Sequence, residues 1–180
     1  MKILVLYYSL DGNTEAIGEA IAKKVGADSA KLVRVKRVRP YNAFRRFKAR
    51  MEVVRKKKPD IFPFKWDPRD YDLIFIGTPV WYDSYNPVFN TLFSVIKIYD
   101  RKIALFSCGE NDSDKALLKF SNLLQDSVIL DKKNWVEPLW WDDEAQTEQA
   151  LKEAEDWAQE VADTAEKMLE EEELNRRLLY

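Results

Sequence analysis

Uninterrupted apolar runs alternate with amphipathic ones along this chain. Residues Ile3 to Tyr8 are apolar throughout, the pattern of a strand covered on both faces within a parallel sheet. From Asn13 to Val25, the positions Ala16, Ile17, Ala20, Ile21 and Val25 recur at three and four. This predicts a helix with one apolar face, and Gly26 stands where a helix C-terminus favours glycine. A shorter strand is expected over Lys31–Lys36, a buried strand over Tyr71–Ile76, a helix over Asn86–Ile96 and a strand over Lys102–Ser107. A helix near Ser113–Leu124, a weak strand at Ser127–Leu130 and a further short strand at Trp135–Leu139 follow. The last helix begins near Asp143 and carries Ala154, Trp157, Ala158, Val161, Ala165, Met168 and Leu169 on one stripe. If it runs to about Glu173 it spans roughly 46 Å at 1.5 Å per residue, longer than one sheet requires. Strands alternating with helices imply a parallel sheet with right-handed crossovers and helices on both faces, an α/β architecture whose strand order the pattern leaves open.

The least regular stretch is Pro40–Pro68, with four prolines and nine basic residues. It reads as a long crossover, helical around Asn42–Arg55, followed by an extended arm. Length and composition, 180 residues with 46% apolar and 33% charged, suit one soluble domain. No window approaches the roughly 20 uncharged apolar residues of a membrane span, and the N-terminus runs straight into a strand pattern, so a cytoplasmic location without membrane contact is expected. The chain has one cysteine, Cys108, and no histidine, which removes disulfide frameworks, serine–histidine triads, the HExxH metal motif and histidine acid catalysis. Chemistry here needs a cofactor or carboxylates, and no metal site is expected. Net charge is only -2, yet its signs are segregated: Lys31–Lys58 holds 13 basic residues and one acid, Glu52, whereas Glu137–Glu173 holds 15 acids against Lys152 and Lys167.

Three glycines, Gly12, Gly77 and Gly109, each lie just beyond the carboxyl end of a predicted strand. Open α/β sheets bind ligands along that rim, so three such loops suggest one composite site. In the first loop, Ser9 to Thr14, the side chains of Ser9, Asn13 and Thr14 add donors to the amides that open a helix, an arrangement suited to an anion. It is neither GxxxxGK[ST] nor GxGxxG, which argues against a nucleoside triphosphate or a dinucleotide. The second loop, "GTPVWYDSYNP" from Gly77 to Pro87, places Trp81, Tyr82 and Tyr85 after a buried strand, either closing the core or walling a flat ligand. The third, "SCGEN" from Ser107 to Asn111, offers backbone groups nearby. A planar heterocycle with a phosphate tail fits all three.

The runs "ILVLYYSLDGNTEAIGEAIA" and "YDLIFIGTPVWYDSYNPVFNTLF" together resemble the flavodoxin family, over residues 1–164, with 165–180 as an acidic helical extension of the same domain. The resemblance implies a three-layer sandwich around a five-stranded parallel sheet of order 2-1-3-4-5, and FMN as cofactor. By matching positions, Ser9, Leu10, Asp11, Gly12, Asn13 and Thr14 would take the phosphate. Thr78, Pro79, Val80, Trp81 and Tyr82 would flank the ring and ribityl chain, and Ser107, Cys108, Gly109 and Glu110 the other side of the ring. Asp11 departs from the commoner Ser-x-Thr-Gly-Asn-Thr pattern of the family, and a carboxylate beside a phosphate repels it. Asp11 is therefore expected to point outwards or to accept hydrogen bonds from ribityl hydroxyls or nearby N–H groups.

The resemblance implies electron transfer through flavin, with a redox partner protein or NAD(P)H as the other party and no assigned catalytic residue. The alternative is an NAD(P)H-dependent reductase of quinones or similar acceptors, the basic crossover around Arg45, Arg46 and Lys48 attracting a dinucleotide phosphate. A third reading, nucleic-acid binding through 31–58, has the charge but no base-reading motif. Leu169, Leu174, Leu178, Leu179 and Tyr180 leave a homodimer open, beside a frayed acidic tail.

Overall fold

The apolar runs become the centre of a single parallel sheet. Its strands are β1 (Ile3–Tyr7), β2 (Asp28–Lys31), β3 (Leu73–Pro79), β4 (Lys102–Gly109) and β5 (Val128–Val136), in the spatial order β2-β1-β3-β4-β5 that the resemblance implies. The helices are α1 (Asn13–Val25), α2 (Ala43–Val54), α3 (Val88–Val95), α4 (Asp114–Ser121) and α5 (Glu144–Leu178). The computed structural model describes residues 1–36, 43–111, 114–139 and 143–179, without the side chain of Arg45. Asn42, Ser113 and Tyr180, named above as helix starts and an end residue, lie outside the described residues.

Register puts Leu4 opposite Ile74 and Ile74 opposite Ile103, with Val5, Phe75 and Ala104 one step on and facing the other way. One face therefore presents Leu4, Leu6, Ile74, Ile76, Ile103 and Leu105, covered by Phe89 and Leu92 of α3 and Leu117 and Phe120 of α4. The opposite face presents Val5, Tyr7, Phe75, Ala104 and Phe106, covered by Ile17 and Ile21 of α1 and by Ala154, Trp157, Ala158 and Val161 of α5. Each large apolar side chain fully buried here contributes about 1.5–3 kcal/mol of transfer free energy, so the three central strands dominate the core.

Four boundaries differ from the sequence pattern. β2 spans Asp28–Lys31 rather than Lys31–Lys36, because its pairing partner β1 supplies the cohesion and only Ala30 needs to be buried. Beyond it, Leu32 is buried but the chain leaves the parallel ladder, and Arg34 forms an antiparallel bridge with Ile61 of the returning arm. The two short strands expected at Ser127–Leu130 and Trp135–Leu139 are one strand, β5, continuous through the charged Asp131, Lys132 and Lys133. These charges suit an edge strand, which blunts its open side against pairing with other chains. β3 and β4 run on to Pro79 and Gly109, carrying Thr78, Pro79 and Cys108 into the ladder itself. α5 continues to Leu178, and bidentate bonds of 2.9 and 3.0 Å from Lys102 Nζ to Glu172 pin it to the amino end of β4.

Candidate functional site on the carboxyl rim of the sheet

The first loop is shaped by its own short polar side chains. Gly12, at φ +105°, is the residue that turns the chain from β1 into α1, a conformation L side chains rarely adopt. The Gly12 amide donates to Ser9 Oγ at 3.1 Å and the Asn13 amide to Asp11 Oδ1 at 3.3 Å. Asp11 thus turns its carboxylate back on the positive end of α1, using a nearby N–H group as the sequence allowed. Ala16 N donates to Gly12 O, so the amides of Asn13, Thr14 and Glu15 precede the helical ladder. Asn13 Oδ1 accepts from Leu139 N at 2.9 Å, and Leu139 Cδ1 lies 3.5 Å from where a Gly12 Cβ would stand. Ser9 and Leu10 are half-buried and Asp11 is exposed.

Thr14 joins this loop to the third. Its Oγ1 is fully buried and makes no well-formed hydrogen bond, its interaction with the Cys108 thiol being of the weak sulfur kind. Burial pushes that thiol well above its ordinary pKa, the Thr14 hydroxyl acts in the opposite sense, and the Asp11 charge reinforces burial. Cys108 is consequently a neutral packing residue, and its carbonyl accepts from Val80 N at 2.8 Å, tying the third loop to the second. Gly109 O accepts from Glu137 N at 2.9 Å, while Glu110 is exposed. Ser107 is buried and donates from Oγ to Asn134 Oδ1 across β4 and β5.

In the second loop Thr78 is buried, with Oγ1 donating to Pro79 O and accepting from Asn86 N, so this hydroxyl holds the loop together. Trp81 and Ser84 exchange backbone bonds of 2.8 and 3.0 Å around Tyr82 and Asp83, whose φ angles of 52° and 53° are both left-handed. Such a two-residue reverse turn usually uses glycine or asparagine, and each non-glycine residue in it costs about 1–3 kcal/mol. Two anchors offset that cost: Tyr82 OH donates to Arg46 O at 2.7 Å, and Lys119 Nζ donates to Asp83 O at 2.8 Å. The Tyr82 side chain is therefore directed to α2, whereas Trp81 is buried. Tyr85 is buried in the core, stacked on Phe120 at 5.2 Å. A cleft of about 630 Å³ opens beside the turn, lined by Tyr82, Tyr85, Asn90, Val54, Lys56 and Lys119 among others.

The named loop residues thus gather at one rim, apart from the exposed Asp11, Glu110 and Tyr82 and from Tyr85, which turns into the core. Sequence reasoning omitted a fourth contributor, the segment from Glu137 to Leu139, which bonds to both Gly109 and Asn13. The signal for it was Trp140 and Trp141, two large aromatics directly beyond a strand, although those two lie outside the described residues. Among the described residues no group of histidine, cysteine or acidic side chains is arranged to hold a metal, and no helix is long and apolar enough to cross a membrane.

The chain resembles several solved structures. A flavoprotein in complex with FMN from Lactobacillus acidophilus has 23% identity and a TM-score of 0.66, covering 74% of this chain and 92% of its own. A flavodoxin from the domain Archaea has 13% identity and a TM-score of 0.57, covering 92% and 99%. A WrbA-like flavodoxin from Agrobacterium tumefaciens has 15% identity and a TM-score of 0.58, covering 92% and 98%. At these identities the likeness speaks to the fold. No curated protein sequence matches. The family model described as flavodoxin matches residues 2–142, which hold all five strands and the rim, and the chain therefore belongs to the flavodoxin family.

Proposed function

We propose that this chain binds FMN at the rim and serves as a flavin redox protein. The observation that carries the reading is the buried Thr14 hydroxyl without a well-formed partner, beside α1 amides that precede the helical ladder. That is an uncharged donor set for a phosphate, and the fit is good because neither a lysine nor a metal is needed to complete it. The amides and hydroxyls of Ser9, Leu10, Gly12, Asn13 and Thr14 would hold the phosphate, with Asp11 exchanging its Asn13 contact for solvent. Thr78 and Ser107 position the neighbouring backbone through their internal bonds, Pro79, Val80 and Trp81 would line one side of the ring, and Cys108, Gly109 and Glu110 the other. Tyr82, held to α2, would frame the edge. Bound FMN would supply one- and two-electron transfer. The protein's part is to orient the ring and keep one edge within reach of a partner.

Electron carriage with a partner protein or NAD(P)H is the leading reading. The cleft of about 630 Å³ beside the Tyr82–Asp83 turn favours a second, NAD(P)H-dependent reduction of an acceptor such as a quinone, because it is a separate space next to the rim. Titrating the purified chain into FMN tests the first step: flavin fluorescence should be quenched at stoichiometric protein, and unchanged fluorescence overturns the proposal. Following NAD(P)H oxidation by the loaded protein then separates the two readings, multiple turnover with quinone marking a reductase and negligible oxidation a carrier.

A further inference from the structure

We propose that the basic cleft between α2 and the arm following it is a second anion site, taking a phosphate dianion and separate from the flavin rim. The usual burial pattern is inverted after β2. At the extended segment following β2, Val33 and Val35 are 40% and 45% exposed, whereas Arg34 between them is 5% exposed. The fold leaves two valines in water in order to bury a guanidinium, the reverse of what transfer free energies favour. The burial is fixed by backbone pairing on both sides, through Val35 N to Asp60 O at 2.9 Å and Phe62 N to Val33 O at 2.8 Å.

Arg34 is also under-used. One nitrogen, Nη2, donates to Glu52 Oε2 at 3.0 Å, while Nε and Nη1 are buried without a partner among the described residues. A buried donor left unmet is destabilising, the more so when it carries charge. The unused Nε–H and Nη1–H groups point to opposite sides of the guanidinium, and each can donate singly to an oxygen of a phosphate while Nη2 stays with Glu52. The cleft that Arg34 lines has a volume of about 590 Å³ and is walled by six basic residues, including Lys48, Arg55 and Lys57, against two acids, Glu52 and Asp60. The flexible lysines supply point charges around a buried guanidinium already in place, and the excess of cations suits a dianion better than a carboxylate. Its position is informative as well. Lys31 at the end of β2 pairs with Tyr7 at the end of β1, so Arg34 lies beyond the same carboxyl rim as the first loop, one strand across. The phosphate could be free inorganic phosphate or the monoester of a nucleotide.

Calorimetric titration of the chain loaded with one equivalent of FMN and freed of excess flavin, at constant ionic strength, tests the site, since that FMN fills the donors of the first loop. Inorganic phosphate and adenosine 2′-monophosphate should bind, while adenosine should give no heat. Affinity should fall at least about tenfold in Arg34→Met and in Lys48→Ser/Lys57→Ser, and should rise several-fold in Glu52→Gln, which removes a competing negative charge. The lysine pair is solvent-exposed, so it keeps the test alive should the buried arginine variant not fold. A nucleotide monoester bound much more tightly than phosphate identifies a nucleotide as the source, and equal affinities identify free phosphate. Unchanged affinity in the lysine variant, equal heat from chloride, or equal affinity for a single-stranded oligonucleotide would each overturn the assignment. If the chain took no FMN, the same comparison without flavin would still read this cleft, because none of these variants touches the first loop.

Discussion

A carboxylate at Asp11 is tolerable because the loop has its own use for it. Its bond to the Asn13 amide is long, 3.3 Å, and the side chain is exposed, so a ligand can displace it at little cost. Two unit charges about 5 Å apart in a water-like medium repel by about 0.8 kcal/mol. Asp11→Thr should therefore leave FMN affinity unchanged or up to about tenfold tighter in a fluorescence titration, and a large loss would show that the carboxylate contacts the ligand. Gly77 illustrates a constraint of another kind. A Cβ there would stand 2.1 Å from Phe106 Cζ, across the β3–β4 register, and Phe106 is wedged edge-on against Trp135 with no room to retreat. Gly77→Ala should cost about 1–3 kcal/mol of stability in urea unfolding. Because Thr78 follows directly, it should weaken FMN binding as well.

At the scale of elements, burial on both faces made β1, β3 and β4 legible, since Ile3–Tyr7, 73–76 and 103–106 are apolar without interruption and the buried polar Lys102, Thr78 and Ser107 come only at strand ends. β2 was displaced because Asp28, Ser29 and Lys31 give no apolar signal, whereas the alternation from Leu32 to Val35 imitates a strand whose inward residues are Leu32 and Arg34. β5 was divided because its middle is charged, an edge-strand property that one-dimensional patterning reads as a loop. The rim was legible through its glycines, but the internal duties of Thr78 and Ser107 depend on Asn86 and Asn134, whose pairing only the folded backbone supplies. The far end of α5 was similarly obscure. Its acids looked like a solvated tail, yet Glu172 partners Lys102, whose side chain is 7% exposed. Glu172→Gln should destabilise the chain by about 1–3 kcal/mol, since it strands a buried ammonium. Adding Lys102→Met should restore much of that loss, which urea midpoints of the single and double variants will show. A single variant without effect would mean that water already satisfies Lys102.

Taken whole, the molecule is polar in a way that its net charge of -2 conceals. The basic segment leaves the sheet at the β2 edge, whereas the acidic segment is mostly α5, which lies over one face of the sheet beside α1 and reaches β4 through Glu172. At 0.1 M ionic strength the Debye length is about 10 Å, so an approaching partner responds more to the charges nearest its docking point than to the net charge. Arg46 O holds Tyr82 at the border of the second loop, which places the positive field beside the rim proposed for the flavin. A uniform sphere of charge -2 would repel an anionic electron donor, and salt would then speed the reaction. A local positive field predicts the opposite: the bimolecular rate with a small polyanionic mediator should fall by up to about tenfold between roughly 0.01 and 0.3 M salt. Stopped-flow reduction of the FMN-loaded chain decides between them by the sign of the slope. A rate that rises with salt would place the reactive edge nearer the acidic half, and α2 would then have no part in guiding the partner.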